Sequence, residues 1–210
     1  MLSMDVYNSL LEKLLSRELV PGQIINRRDI ANKLGTSTAP VLEAMKQLEH
    51  EGYIETIPRK GTQVKIIDKN DVIGSYITRI GIEGMAVRIG YSLGNIQKNA
   101  DFLREKAHKA DEMRKKYDDH MESWKADNEF HRALVALSEN TKVCESFEKM
   151  SLTNVFYSTG YVFSGEKKYR SHVTLLEMIL ECNSADEAEK IVRNHILDGK
   201  DEIKNMLGIL

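Results

Sequence analysis

The sequence predicts a mainly α chain in two parts: a small N-terminal domain of three helices closed by a short β-hairpin, then a larger all-α helical bundle. Two observations carry this. Before about residue 67 the chain is cut into short segments by the turn signals Val20-Pro21-Gly22, Leu34-Gly35-Thr36-Ser37, Glu51-Gly52 and Arg59-Lys60-Gly61. Beyond it, long stretches of helical spacing run to the end, and all three prolines (Pro21, Pro40 and Pro58) lie in the first part. Residues 66–70 read as the hinge, so the expected domains are 1–67 and 68–210.

In the first domain Val6, Leu10, Leu11 and Leu14 repeat at helical spacing and mark a first helix. Arg28 to Leu34 forms a short second helix, with Ile30, Ala31 and Leu34 turned inward. Gly35 turns the chain, and Thr36 or Ser37 is placed to cap a third helix by accepting its free backbone N–H groups. Pro40 sits near that helix's start, where its missing N–H costs nothing. The helix continues through Val41, Ala44, Met45 and Leu48 and stops at Gly52, read as its C-cap. Two helices joined by a short glycine-bearing turn make a helix-turn-helix. Tyr53–Ile57 and Thr62–Ile66 then read as two strands around the basic tip Pro58-Arg59-Lys60-Gly61, which completes a winged helix-turn-helix.

The second domain reads as six helices, near 70–93, 96–116, 118–138, 142–161, 168–182 and 184–207. No apolar run approaches the roughly 20 residues a bilayer span needs. Met1 to Arg17 is amphipathic and carries Asp5 and Glu12, unlike a secretion signal. Cys144 and Cys182 are too few and too scattered for a disulfide framework or a zinc ribbon, so the expected location is cytoplasmic. The net charge of −2 leaves nucleic-acid binding undecided: residues 1–67 hold nine basic against eight acidic side chains, the remainder 21 against 24. Phosphate contact depends on where basic groups sit rather than on their sum.

The run from Pro21 to Ala31, then Leu34 to Met45, Leu48 to Ile54 and Gly61 to Val64, resembles the DNA-binding domain of the GntR family. Turn residues, apolar positions and wing glycine fall in order over residues 4–65. The resemblance implies a homodimer on a near-palindromic double-stranded DNA operator. The best candidates for DNA contact are Arg28, Thr36, Ser37 and Thr38 at helix N-termini and Arg59, Lys60 and Gly61 on the wing; in isolation Arg59 and Lys60 would be a solvated turn. Where the family commonly carries two recognition-helix arginines, this chain has Thr38 and Leu42, which implies a different operator. Lys46 and Gln47 read as solvent-facing.

Residues 70–207 resemble, more loosely, the FCD effector domain of the FadR-type branch of that family. Here Ser171 stands where an acidic residue often precedes the histidine, and the gap from His172 to His195 is about one residue longer than typical of that domain. On the residues alone, Asp127 and His131 are four apart and leave one helix face, beside an apolar stripe of Phe130, Leu134 and Leu137. His172 and His195 come from two other helices. Three imidazoles and a carboxylate suit a divalent transition metal such as Zn, Ni or Mn, and each alone is as readily a hydrogen-bonded structural group. The order seen in the resembling domain favours the metal. His50, His108 and His120 are read as structural or surface residues.

Arg79 offers a two-pronged partner for a small carboxylate effector beside that metal, the other reading being a helix-surface pair with Glu83. The expected function is therefore an effector-controlled DNA-binding regulator and not an enzyme. Two alternatives stand beside it: a metal-dependent hydrolase, which leaves the winged helix without a task, and a DNA-binding protein whose helical domain serves only dimerisation.

Overall fold

The computed structural model describes residues 2–117, 121–150, 154–155, 157–158, 160, 171–198, 200–206 and 208. Its contacts divide the chain into Met1–Asp68 and Lys69–Leu210.

In the first unit, α1 (Ser3–Leu15) and α2 (Arg27–Lys33) both pack on α3 (Thr38–His50). Val6, Leu10, Leu11 and Leu14 of α1 are buried, as are Val41, Ala44, Met45 and Leu48 of α3. Their predicted spacing is the spacing of the core, and each fully buried large aliphatic side chain contributes about 1.5–3 kcal/mol. The turn between α2 and α3 closes by Thr36 N–H donating to the Ala31 carbonyl (2.9 Å), with Gly35 at φ +61 making the reversal. Ser37 occupies the N-cap position of α3, but neither its side chain nor that of Thr36 caps the helix by a hydrogen bond. Gly52 lies one residue past the cap, which is Glu51, and its φ of +82 lets Tyr53 N–H reach the Leu48 carbonyl at 2.9 Å.

The hairpin is β2 (Ile54–Ile57) against β3 (Gly61–Val64), antiparallel, with Ile54 opposite Val64. A third strand, β1 (Ile24–Ile25), pairs with the far side of β3, giving the sheet order β1-β3-β2. Two residues give too short an alternation to show as a strand in sequence. Arg59 stands at the wing tip with φ +67 and Gly61 with φ +100.

The second unit contains α4 (Lys69–Ser92), α5 (Asn95–Lys98), α6 (Ala100–Lys116), α7 (Met121–Ala136), α8 (Thr141–Met150), α9 (His172–Glu181), α10 (Ala185–Ile196) and α11 (Asp201–Met206). The central helices are α4, packed on α7, α8 and α10, and α6, packed on α7 and α9. Close approach is built into α4: a Cβ on Gly84 would meet the Glu189 side chain at 3.2 Å, and one on Gly90 would meet the Leu137 carbonyl at 3.2 Å.

Two expected helices are each divided. The 96–116 helix breaks at Asn99, whose side-chain amide donates to the Asn95 carbonyl (2.8 Å) and ends α5. The 184–207 helix stops at Ile196, with Leu197 as its cap, before α11 begins. At Asn99 this is the competition between a side-chain amide and the helix ladder that periodicity does not reveal. Parts of the expected 118–138, 142–161 and 168–182 helices lie outside the described residues. Among the described residues no helix is long and apolar enough to cross a membrane.

Candidate metal and effector site

In the second unit four helices bring side chains to one point. Arg79 and Glu83 come from α4, Asp127 and His131 from α7, His172 from the first residue of α9 and His195 from the last turn of α10. One ring nitrogen from each of His131, His172 and His195 lies within 4.8 Å of the others. The ring centroids are 5.4 Å apart for His131 and His172, 5.6 Å for His131 and His195, and 5.3 Å for His172 and His195. Phe130 meets the rings of His131 and His172 edge-on and is fully buried, which seals one side of the cluster against water.

Asp127 joins the imidazoles as the i, i+4 spacing on α7 requires. Its Oδ1 is 3.0 Å from His172 Nε2, and its Oδ2 is 3.7 Å from His131 Nε2. That second oxygen is buried with no hydrogen-bond partner among the described residues. A buried carboxylate oxygen left bare costs free energy unless a cation meets it. The donor set, three imidazole nitrogens and one carboxylate, therefore fits a divalent transition metal. All four residues named from the sequence are brought together.

The electrostatics separate the three histidines. For His172, burial pulls the imidazole down, but the Asp127 charge and the hydrogen bonds the ring donates to Asp111 and Asp127 prevail and push it up to about 9. For His195, burial and then the charges of His131, His172 and Arg79 hold the ring well below the usual histidine range. For Asp127, burial alone would raise the carboxyl; the His172 charge and hydrogen bond, with His131 and Arg79, outweigh it and hold the group far below the usual carboxylate range.

Arg79 is in the site, and its pairing with Glu83 is real but not superficial. Its Nε donates to Glu83 Oε1 at 2.5 Å, and its Nη2 lies 2.9 Å from His131 Nε2. Arg79 is only 3% exposed and Glu83 1%, which overturns the surface-pair alternative. Sequence reasoning took Glu83 as that surface partner and passed over Asp111. Asp111, on α6, accepts from the Ser171 hydroxyl, from His172 N–H (2.8 Å) and from His172 Nδ1 (2.9 Å). A contact across 61 residues leaves no local signal. Ser123, four residues before Asp127 on α7, is also buried, with its hydroxyl unpartnered among the described residues.

In the first unit, Arg28, Ser37, Thr38, Arg59, Lys60 and Gly61 are exposed and Thr36 is half-buried. Arg28 N–H donates to the side chain of Asn26, the N-cap of α2. Lys46 and Gln47 are exposed, as are His50 and His108, while His120 lies outside the described residues.

A winged helix followed by a helical domain with a buried histidine–aspartate cluster defines a class of transcriptional regulator. The chain belongs to the GntR family: residues 2–64 match "Bacterial regulatory proteins, gntR family", and residues 75–198 match the FCD domain. Among its relatives, the Nta operon transcriptional regulator of Aminobacter aminovorans is 27% identical over 190 residues, covering 89% of this chain and 87% of that protein. The probable D-xylose utilization operon transcriptional repressor of Paenarthrobacter nicotinovorans is 25% identical, covering 83% and 76%. Two solved structures share the fold. A putative GntR regulator from Rhodococcus sp. RHA1 has a TM-score of 0.71 at 20% identity, over 97% of each chain. McbR/YncC of E. coli has 0.68 at 18% identity, over 99% of each chain.

Proposed function

We propose that this regulator binds double-stranded DNA as a homodimer through residues 1–67, and that a small carboxylate effector held in residues 68–210 controls its occupancy. The observation that carries the effector half is the convergence of His131, His172, His195 and Asp127 beside the buried guanidinium of Arg79. A divalent transition metal (Zn, Ni or Mn) held by those four residues would supply a Lewis-acidic position for an anionic oxygen. The chain's own residues do the rest. Arg79 supplies a fixed cation for a carboxylate, Phe130 excludes water, and Glu83 keeps the guanidinium from wandering.

Arg79 lies on α4, which begins at Lys69, directly after the first unit. A ligand that pulls on Arg79 acts on the helix nearest in sequence to the DNA-binding domain. Exposed Arg28, Ser37, Thr38, Arg59, Lys60 and Gly61, with Thr36 behind them, supply the phosphate and base contacts. The homodimer is supported by the outer face of α4: Gly74, Ile77, Thr78, Gly81 and Met85 are exposed and uncharged in a chain that is 30% charged. Names tied to the Nta operon and to a D-xylose utilization operon accord with control of an operon, in the cytoplasm where the DNA lies.

The test is elemental analysis after incubation with Zn, Ni or Mn and dialysis, for wild type and a His131→Ala, His195→Ala double variant. Stoichiometric metal in wild type and none in the variant is expected. Wild type that retains no metal from any of the three would end the metal reading.

A further inference from the structure

Two of the three cluster histidines are held from behind by a buried carboxylate, and the third is not. Glu83 Oε2 lies 2.6 Å from His131 Nδ1, and Asp111 Oδ1 lies 2.9 Å from His172 Nδ1. The His195 ring makes no hydrogen bond among the described residues. We infer that Glu83 and Asp111 are positioning residues that keep the protons of His131 and His172 on Nδ1 and so turn the Nε2 atoms toward Asp127 and the cluster. This rests on the metal reading only for its purpose; the Nδ1 protons are a property of the metal-free protein, whether or not His172 also carries one on Nε2 beside Asp127.

The assignment for His131 follows from donors and acceptors alone. A guanidinium only donates, so the Nε2 atom that Arg79 Nη2 meets at 2.9 Å must carry a lone pair. The ring proton then sits on Nδ1, 2.6 Å from a carboxylate oxygen where two bare lone pairs would repel, although the N–H does not line up with that oxygen as a hydrogen bond. Glu83 spends its two oxygens on different partners, Oε1 on Arg79 and Oε2 on His131. It thus ties the proposed effector-binding cation to a proposed metal-binding ring. Asp111 ties His172 instead to the start of α9, through Ser171 and the backbone N–H of His172. Carboxylates behind metal-binding imidazoles fix ring orientation, and their loss typically lowers metal affinity about 10- to 100-fold.

The experiment uses full-length protein labelled with 15N at histidine. Long-range 1H–15N correlation spectra are recorded after EDTA treatment, and Zn2+ is titrated in parallel. In wild type, His131 and His172 should both show a protonated Nδ1, and His131 a lone-pair Nε2. Glu83→Gln should redistribute the His131 tautomers and leave His172 alone; Asp111→Asn should disturb His172 alone. Each should weaken Zn2+ binding about 10- to 100-fold. Arg79→Met, with Glu83 kept, separates positioning from mere charge balance: His131 should keep its Nδ1 proton. A lone-pair Nδ1 on His131 in wild type, or its appearance in Arg79→Met, would overturn the inference for Glu83. Because Asp111→Asn also touches the start of α9, its folding is read from the unaffected His131 signals; unchanged His172 signals and Zn2+ affinity would overturn the inference for Asp111. Absence of Zn2+ binding in wild type would defeat the metal reading and leave the tautomer result to decide the positioning roles.

Discussion

Arg79→Met removes a guanidinium from a place where water cannot replace it. Arg79 and Glu83 are 3% and 1% exposed, and Glu83 Oε1 sits 2.5 Å from Arg79 Nε. Burial alone would raise the Glu83 carboxyl, and the Arg79 charge, with His131 beyond it, holds it lowered and ionised. Without Arg79 the carboxylate is buried with, among the described residues, only His131 beside it. Breaking such a pair from one side costs about 3–5 kcal/mol, whereas an exposed i, i+4 pair is worth about 0.3–0.5 kcal/mol. The assay is urea unfolding of EDTA-treated protein followed by the fluorescence of Trp124, the only tryptophan, which is buried on α7 and reports on the second unit alone. With a slope of about 2 kcal/mol per molar urea, the midpoint should fall by about 1.5–2.5 M. The double variant Arg79→Met, Glu83→Leu should recover most of that loss, because it leaves no unpaired charge. A midpoint shift below about 0.3 M for the single variant, or no recovery in the double, would refute the reasoning.

Metal-free stability should respond to pH through His172. Its folded pKa, about 9, is raised above 6.5, so its contribution is fully present below about 6.5 and is lost as pH rises through about 9. Urea midpoints at pH 6, 7.5 and 9.5 should therefore fall more in wild type than in His172→Gln, while Zn2+ affinity rises over the same window as Nε2 gives up its proton. Arg28→Ala and Arg59→Gly should each weaken binding to a selected operator and flatten its salt dependence by about one unit of slope, read by fluorescence anisotropy. Glycine suits position 59 because φ there is +67, so a loss of affinity reports the missing charge and not a deformed wing. Ser123→Ala should leave the metal-free urea midpoint unchanged or higher, since the hydroxyl it removes is buried without a partner among the described residues, and a drop of about 1 kcal/mol or more would show that the hydroxyl is satisfied.

The first unit was the more legible because its information is local. Val6, Leu10, Leu11 and Leu14, and the glycines at 35 and 52, each act within one or two turns of helix. What escaped there was also local but small: a two-residue β1, and a Ser37 that takes the cap position without its hydrogen bond. In the second unit Asp127 and His131 declare themselves by their spacing on α7. His172 and His195 joined them only through the order of residues in a resembling domain, since nothing local says that α9 and α10 point at α7. Asp111 shows the limit: its partners lie 60 residues and more away, and an aspartate in a charged helix looks like any solvated one. Glu83 was visible as a partner of Arg79, but burial, which gives that pair its meaning, is a tertiary property.

The central claim, that this chain is a DNA-binding regulator read out through its winged helix, is tested most directly by sequencing DNA. Fragments of genomic DNA are incubated with the purified full-length protein, recovered with it over several rounds and sequenced against the starting pool. The account predicts enrichment of a near-palindromic motif with two half-sites, as a two-fold dimer of winged helices requires. Recovered fragments with no motif above the starting pool would contradict it.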